Sequence, residues 1–564
     1  MQKRRTLALV LALLMLLTLL TACGGEKETE QTKAPQENVT PEPEAPTPDE
    51  PGPEDQPEDE AFTYPIAGEN ELTVWRTMSA METNVTGGEV TPGQKKLEEL
   101  TGVHIEYMLS TDATASAQLG AMFAGGDYPD IMSAVEQFYP RGLALMCDEG
   151  ISLELTDIIS DYMPNYARER LTSEVYTKDT VADDGNIYGI YILTVSENIP
   201  QGPAIRGDWL EDLGLEIPKT YEDYENVLRA FKTEKGATAG LHLTNYGMPY
   251  YNYLCAGYDV AAYVSDARDY KPFFQIDGTV KYGPLEQGWY DFTEMMTRWY
   301  EEGLVYQDFM SQTAQTMTPT IVELGTTGKS GLLYTYQFQL STIPMQSDDP
   351  NCELIPIGDA VKEVGQQLHL RAPITLIQRQ GSVITTGCEN VELAARWMDF
   401  GLTDEGYMLA SYGIEDKENG SYYIDEGGDV VYTEYLMNMA EENGFDRNTQ
   451  LVLFTSNTLC YHQNLDLQTF DPEMSIKANA AWTEYADDTY WMPSGMTMTA
   501  EENEEFATLW ADIRTLTNEF YMSVITGALD LETEYDKFVS DLHGRDIDRC
   551  IEIYQQALDR YNSR

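Results

Sequence analysis

The sequence predicts an α/β protein with two or more lobes, carried behind an export leader and a spacer that cannot fold. Three observations predict it. Residues 72–133 alternate strand-type and helix-type segments, the pattern of a parallel sheet covered by helices. The 502 residues that follow the spacer exceed what one hydrophobic core holds, since cores stop growing near ~250–300 residues. Hydrophobic residues make up 42% and aromatic residues 11% of the chain, enough to fill such cores.

The leader comes first. Lys3, Arg4 and Arg5 precede an apolar run from Leu7 to Leu20. At fourteen residues the run is shorter than the roughly twenty that span a bilayer, so it suits a secretory signal over residues 1–22. It ends in Leu20-Thr21-Ala22-Cys23-Gly24. Small residues directly before a cysteine resemble the bacterial lipobox, in which the thiol receives a diacylglyceryl group and cleavage precedes it. An ordinary signal peptide with an incidental cysteine is the competing reading. Cys23 is therefore the expected lipidation site, with palmitate-type chains holding the protein to the outer face of the cell membrane. Residues 23–62 are the tether: its eight prolines, thirteen acidic residues and two lysines leave nothing to bury. Proline and self-repulsion extend such a chain at ~3 Å per residue.

The formal charge is −60, from 35 basic and 95 acidic residues. Phosphate backbones and anionic headgroups carry the same sign, which argues against a nucleic-acid partner and against electrostatic membrane binding. Six cysteines follow Cys23, and their closest spacing is 36 residues. No CxxC pair arises, and we expect no required disulfide framework.

Along the body, Leu72–Trp75 reads as a strand and Arg76–Thr91 as a polar loop. Pro92 opens a helix with Thr91 as N-cap and Gly102 as terminator. Val103–Tyr107 alternates as a second strand, a helix covers the region of Ala115–Ala124, and Asp130–Ser133 begins a third strand. In parallel α/β sheets ligands sit at the carboxyl ends of strands, so the loops after Trp75 and Ser133 become candidate binding edges. Asp184-Gly185-Asn186 is a turn, and Ile187–Ile192 is extended. Gly214 closes a short helix. Thr220 and Asp223 make a capping box for the next one, whose Tyr224, Val227, Leu228 and Phe231 form one buried stripe.

These segments resemble a family. Asp127-Tyr128-Pro129-Asp130-Ile131, Asp184-Gly185-Asn186-Ile187-Tyr188-Gly189, Ile205–Leu210 with Pro218–Tyr221, Asp277–Val280, Trp299–Val305, Gly328–Leu333, Asn390–Trp397, Thr403–Gly406 and Tyr412-Gly413-Ile414-Glu415 occur in this order. Together they are similar to extracellular solute-binding lipoproteins of carbohydrate ABC importers (solute-binding family 1). The resemblance covers roughly residues 70–430. Asp416 stands where the family usually has glycine after Gly-Ile-Glu. Most of these motifs serve backbone geometry or the core, Trp299 and Trp397 included, and so identify a scaffold rather than a ligand.

The resemblance implies a periplasmic-binding-protein-like clamp, each lobe a sheet flanked by helices, with several hinge crossings. The first lobe would comprise 63–190 plus 379–430, and the second 191–378 plus 431–564. Crossings are expected near 188–197, 370–377 and 430. It implies capture of a sugar, an oligosaccharide above all, by a monomer that serves the transmembrane subunits of a permease. Pyranose rings offer apolar faces and polar rims, so aromatic stacking and side-chain hydrogen bonds should hold them. The candidates are Arg76, Thr77 and Ser79 after the first strand and Glu136 after the third. Tyr250 and Tyr251 lie in a tyrosine-rich loop, Tyr334, Tyr336, Gln337 and Phe338 follow the Gly331–Leu333 strand, and Trp491 is the last.

Catalytic signatures are otherwise missing from the sequence. The five histidines are isolated, so no metal-ligand spacing arises, and neither metal nor cofactor is expected. There is no GxSxG elbow, and Gly325–Ser330 is two residues too short for a phosphate loop. Two further readings stay open: a similar binder for peptides or polyamines, for which an acidic pocket at Glu136 would be the mark, and a secreted glycan-active enzyme.

Overall fold

The computed structural model describes residues 63–78, 80–87, 90–139, 141–194, 199, 201–243, 250–262, 271–312, 314–371, 377–443, 447–456, 462–463 and 472–564. The leader, the tether with Cys23, Ser79 and the side chains of Tyr250 and Tyr251 lie outside the described residues. In chain order the strands are β1 (Glu71–Met78), β2 (His104–Thr111), β3 (Ile131–Met132), β4 (Ile190–Thr194), β5 (Gln201–Arg206), β6 (Phe273–Ile276) and β7 (Thr279–Tyr282). They continue with β8 (Leu332–Tyr336), β9 (Leu354–Pro356), β10 (Ile377–Ile384), β11 (Tyr422–Ile424), β12 (Val430–Tyr432) and β13 (His462–Gln463).

The first lobe is built on a six-stranded sheet in the order β13-β4-β10-β3-β1-β2. Its opening is the expected parallel unit: β1 runs parallel to both β2 and β3, with Val74 opposite Tyr107 and Ile131. The connecting helix Pro92–Thr101 begins at Thr91, whose side chain accepts from the Gln94 N–H while Gln94 reaches back to the Thr91 N–H. Gly102 ends it with φ 72°, and a Cβ there would sit 2.7 Å from the Ile66 carbonyl. Asp130 ties β3 to β1 by accepting from Thr73 N–H at 2.7 Å and Thr73 Oγ1 at 2.8 Å. β10 arrives from far along the chain and pairs antiparallel with β3 and β4. Leu72, Val74, Trp75, Ile131, Val383, Ile384 and Trp397 are buried in its core. The stretch after Trp75 is not a loop throughout: β1 continues to Met78, and Ala80–Thr86 is helical.

A separate core fills the second lobe. β5 is its central strand, flanked antiparallel by β8 and β9. The Trp482 indole lies against β5 at Gly202, where a Cβ would come within 2.6 Å of the ring, and its Nε1–H donates to the Pro203 carbonyl. Thr220 and Asp223 form the expected capping box, and Tyr224, Val227, Leu228 and Phe231 are buried together. Three C-terminal helices, Ala500–Ile525, Leu531–His543 and Ile547–Asn562, extend the same core. There the Phe520 and Phe538 rings stack 4.0 Å apart.

The chain passes between the two cores three times: from β4 to β5, from Arg371 to β10, and from β13 to the helix Pro472–Thr483. The third crossing differs from the expected position near 430. Leu436, Leu451 and Phe454 form a small cluster that shares Ile414 with the first core. Moreover, Gly93 N–H donates to the Leu453 carbonyl at 3.0 Å. Residues 434–443 and 447–455, assigned to the second lobe on sequence, thus pack on the first, because the Gly413–Glu415 turn and Gly93 both lie against Phe454 and Thr455. Cys147, Cys352, Cys388 and Cys550 carry free thiols, and the Cys255 thiol donates to the Val260 carbonyl.

Side chains also join the lobes. Tyr176 and Val181 belong to the first core, and between and beside them Asp179 and Asp183 receive the C-terminus. Tyr561 Oη donates to Asp179 at 2.6 Å, while Arg560 and Arg564 both donate to Asp183.

Candidate functional site

The carboxyl ends of β1 and β3 carry the first-lobe candidates. Arg76 is committed to structure: its guanidinium pairs with Glu82 of the helix Ala80–Thr86 and lies over the Tyr107 ring at 5.4 Å. Burial pushes the Tyr107 hydroxyl up to about 12, against the pull of Arg76. Thr77 is half-buried and in register with Ser110 of β2. Glu136 sits in the 3₁₀ turn Val135–Phe138 and accepts from the Gly381 N–H of β10 at 2.9 Å. Its carboxylate therefore ties the β3 loop to the sheet.

At the carboxyl end of β8 the outcome is divided. Tyr334 is fully buried in the second core, and its hydroxyl donates to Asp359 at 2.8 Å. Burial, with the Asp359 charge, holds that phenol well above its ordinary range. It is a core residue rather than a stacking platform, because β8 is covered on both faces over Leu332–Thr335. Tyr336 and Phe338 stay half-buried and stack on each other at 5.6 Å and 21°. Gln337 Nε2 donates to the Ile199 carbonyl, tying this end of β8 to the first crossing. Trp491 packs on the second core beside the His369–Tyr490 ring pair, whose centroids are 4.4 Å apart.

Sequence reasoning missed the polar residues beneath this strand end. Arg371 is fully buried; its Nε donates to Asp359 at 2.7 Å, its Nη2 to the Gln201 carbonyl at 2.8 Å, and its guanidinium covers the Tyr253 ring at 3.5 Å. Asp359 thereby joins Arg371 to Tyr334. Neither residue sits in a motif, and twelve positions separate them, so no local signal pointed to the pair. A hollow of about 720 Å³ lined by Glu69, Glu71, Glu98, Glu99 and His104 opens at the amino ends of β1 and β2. That is the wrong end of a parallel sheet for a ligand.

A family model described as bacterial extracellular solute-binding protein matches residues 94–413. The fructooligosaccharide ABC transporter substrate-binding protein FusA of Streptococcus pneumoniae serotype 4 is 24% identical over 356 residues, 60% of this chain and 62% of the relative. The polygalacturonan/rhamnogalacturonan-binding protein YtcQ of Bacillus subtilis is 28% identical over 244 residues, 42% and 45% of the two chains. This chain thus spans about half to three-fifths of the length of these relatives. The solved structure of the alginate-binding protein AlgQ2 without calcium ion superposes with a TM-score of 0.69 at 22% identity, covering 88% of this chain and 99% of that one. The shared fold is the two-lobed α/β clamp. Among the described residues, no group of three or more His, Cys, Asp or Glu could hold a metal ion, so no residues here are assigned to calcium.

Proposed function

This chain belongs to the bacterial extracellular solute-binding proteins, and from that premise we propose that it captures an oligosaccharide between its lobes and delivers it to the transmembrane subunits of an ABC importer. The observation that carries the reading is the division of the body into two separate hydrophobic cores joined by three chain crossings. Crossings of that kind act as a hinge. A solute that touches both lobes binds the closed arrangement better and shifts the population toward it. FusA is named for fructooligosaccharide and YtcQ for polygalacturonan/rhamnogalacturonan, which supports a saccharide as the solute. Tyr336, Gln337 and Phe338 supply an aromatic pair and an amide on the second lobe; Thr77 and the neighbouring loops supply the first.

The protein acts as a binder, not an enzyme. Among the described residues no helix is long and apolar enough to cross a membrane, and in this reading the lipidated Cys23 holds the mature protein at the cell surface. A tether of this kind raises the effective concentration at the permease. Thermal shift against monosaccharides, oligosaccharides, oligopeptides and polyamines tests the proposal. A ligand at 100 times its dissociation constant adds about 2.7 kcal/mol to stability. An oligosaccharide should raise the melting temperature; a response to peptides or polyamines alone would reject it, and turnover of the glycan would make the protein an enzyme.

A further inference from the structure

The hinge-side end of the second lobe's sheet concentrates polar atoms that make no hydrogen bond among the described residues. They are Gln201 Oε1, Gln339 Nε2 and Arg371 Nη1, on side chains that are 8%, 0% and 0% exposed. The three residues are neighbours. Arg371 Nη2 donates to the Gln201 carbonyl at 2.8 Å. Gln201 is in register with Tyr336, whose N–H donates to Gln339 Oε1 at 3.0 Å. Gln201 directly follows the first crossing and Arg371 directly precedes the second. Buried polar atoms in folded proteins are nearly always hydrogen-bonded. Two donors and one acceptor left over on linked residues, at the root of two crossings, therefore ask for a partner from outside the chain.

Resting on the oligosaccharide reading above, we infer that Gln201, Gln339 and Arg371 form the second lobe's hydrogen-bonding floor for the solute, and that this floor selects the neutral hydroxyl rim of a sugar. The donor set decides the chemistry. A hydroxyl both donates and accepts, so a pair of ring hydroxyls can take the guanidinium and amide N–H groups while giving a proton to Gln201 Oε1. An ammonium only donates, and it would meet two N–H donors. A carboxylate only accepts, and it would abut Gln201 Oε1. Nor does the guanidinium offer spare charge, because Asp359 already pairs with its Nε.

The test uses the full chain purified in detergent and isothermal titration with neutral oligosaccharides (kestose, maltotriose, cellotriose, mannotriose), trigalacturonate and spermidine. Gln201→Met keeps the length of the side chain and removes its polar atoms. The expected result is loss of affinity of at least tenfold for the neutral oligosaccharide that the unaltered chain binds, with an unchanged or higher melting temperature. A residue of purely structural value would lower that temperature instead. Arg371→Lys, which keeps a cation beside Asp359 but removes Nη1, should weaken the same sugar. Gln201→Met binding within twofold of the unaltered chain overturns the inference while leaving the oligosaccharide reading intact, as does an unaltered chain that prefers trigalacturonate. A chain that takes spermidine and no saccharide overturns both.

Discussion

The two lobes hold their sheets in different ways. In the first, polar side chains sit at the joints between elements. Asp130 clamps β3 to Thr73 of β1, and Asp399 accepts from the Asn165 and Tyr166 N–H groups at the start of the helix Pro164–Glu169. The second lobe instead places an ion pair inside the core. Arg371 and Asp359 are both buried; Tyr334 also donates to Asp359, and Arg371 also donates to the Gln201 carbonyl. A capping carboxylate replaced by alanine leaves neutral N–H groups without a partner. A buried partner removed from an ion pair leaves a charge without its counter-ion. The second lobe should therefore be the more fragile toward loss of one polar group, even though its core is the larger.

Asp359→Ala should break that contrast most visibly. Leaving Arg371 uncompensated in the interior is expected to cost about 3–5 kcal/mol. Asp399→Ala, which leaves neutral helix N–H groups rather than a charge without a partner, should cost about 1–2 kcal/mol. Urea midpoints followed by tryptophan fluorescence compare the two. The double substitution Asp359→Leu with Arg371→Met should recover most of the loss, since an apolar pair of similar volume needs no charge partner. If Asp359→Ala proves no worse than Asp399→Ala, the distinction between the lobes is wrong.

Acid sharpens the same comparison. His242 is fully buried in the second lobe, both ring nitrogens lack a hydrogen bond among the described residues, and burial lowers its pKa to about 3. The unfolded chain takes up this proton near pH 6.5 and the folded one near 3. Between those values the unfolded state holds more protons, so stability falls as pH drops through that window. From pH 7.5 to pH 5 this one residue should remove roughly 2 kcal/mol. His242→Leu should flatten that slope in urea melts while leaving pH 7.5 stability near its original value. An unchanged slope would place the acid sensitivity elsewhere.

What could be read from the sequence follows the range of the interactions. The β1-β2-β3 unit, the N-cap at Thr91, the capping box at Thr220, and the stripe from Tyr224 to Phe231 are local patterns, and each is present as read. β10 and β13 could not be placed in the first sheet, because their partners lie hundreds of residues away. The packing of 434–455 on Gly93 was hidden for the same reason. Among candidate residues, position after a strand located Arg76 and Glu136 at strand ends but said nothing of Glu82 or Gly381, the groups that occupy them. Tyr334 and Tyr336 are two residues apart on one strand. Only the covering elements decide that the first is core and the second half-exposed.

The smallest expected effect concerns how the lobes are coupled. Arg560, Tyr561 and Arg564, at the end of a second-lobe helix, grip Asp179 and Asp183 of the first lobe, and the Arg564 guanidinium also donates to the Val181 and Gly495 carbonyls. Asp183 accepts from two guanidinium groups and is partly exposed, so water and salt screen the contact. Asp183→Ala should cost only about 1 kcal/mol. Its effect should lie in cooperativity, since this contact links the two cores. The unaltered chain is expected to melt in one calorimetric transition at low salt. Asp183→Ala should separate that transition into two, and added salt should drive the unaltered chain in the same direction, because Debye screening weakens the half-exposed ion pairs first. A single transition in Asp183→Ala would mean that the crossings and the remaining contacts, such as Tyr561 with Asp179, couple the lobes without it.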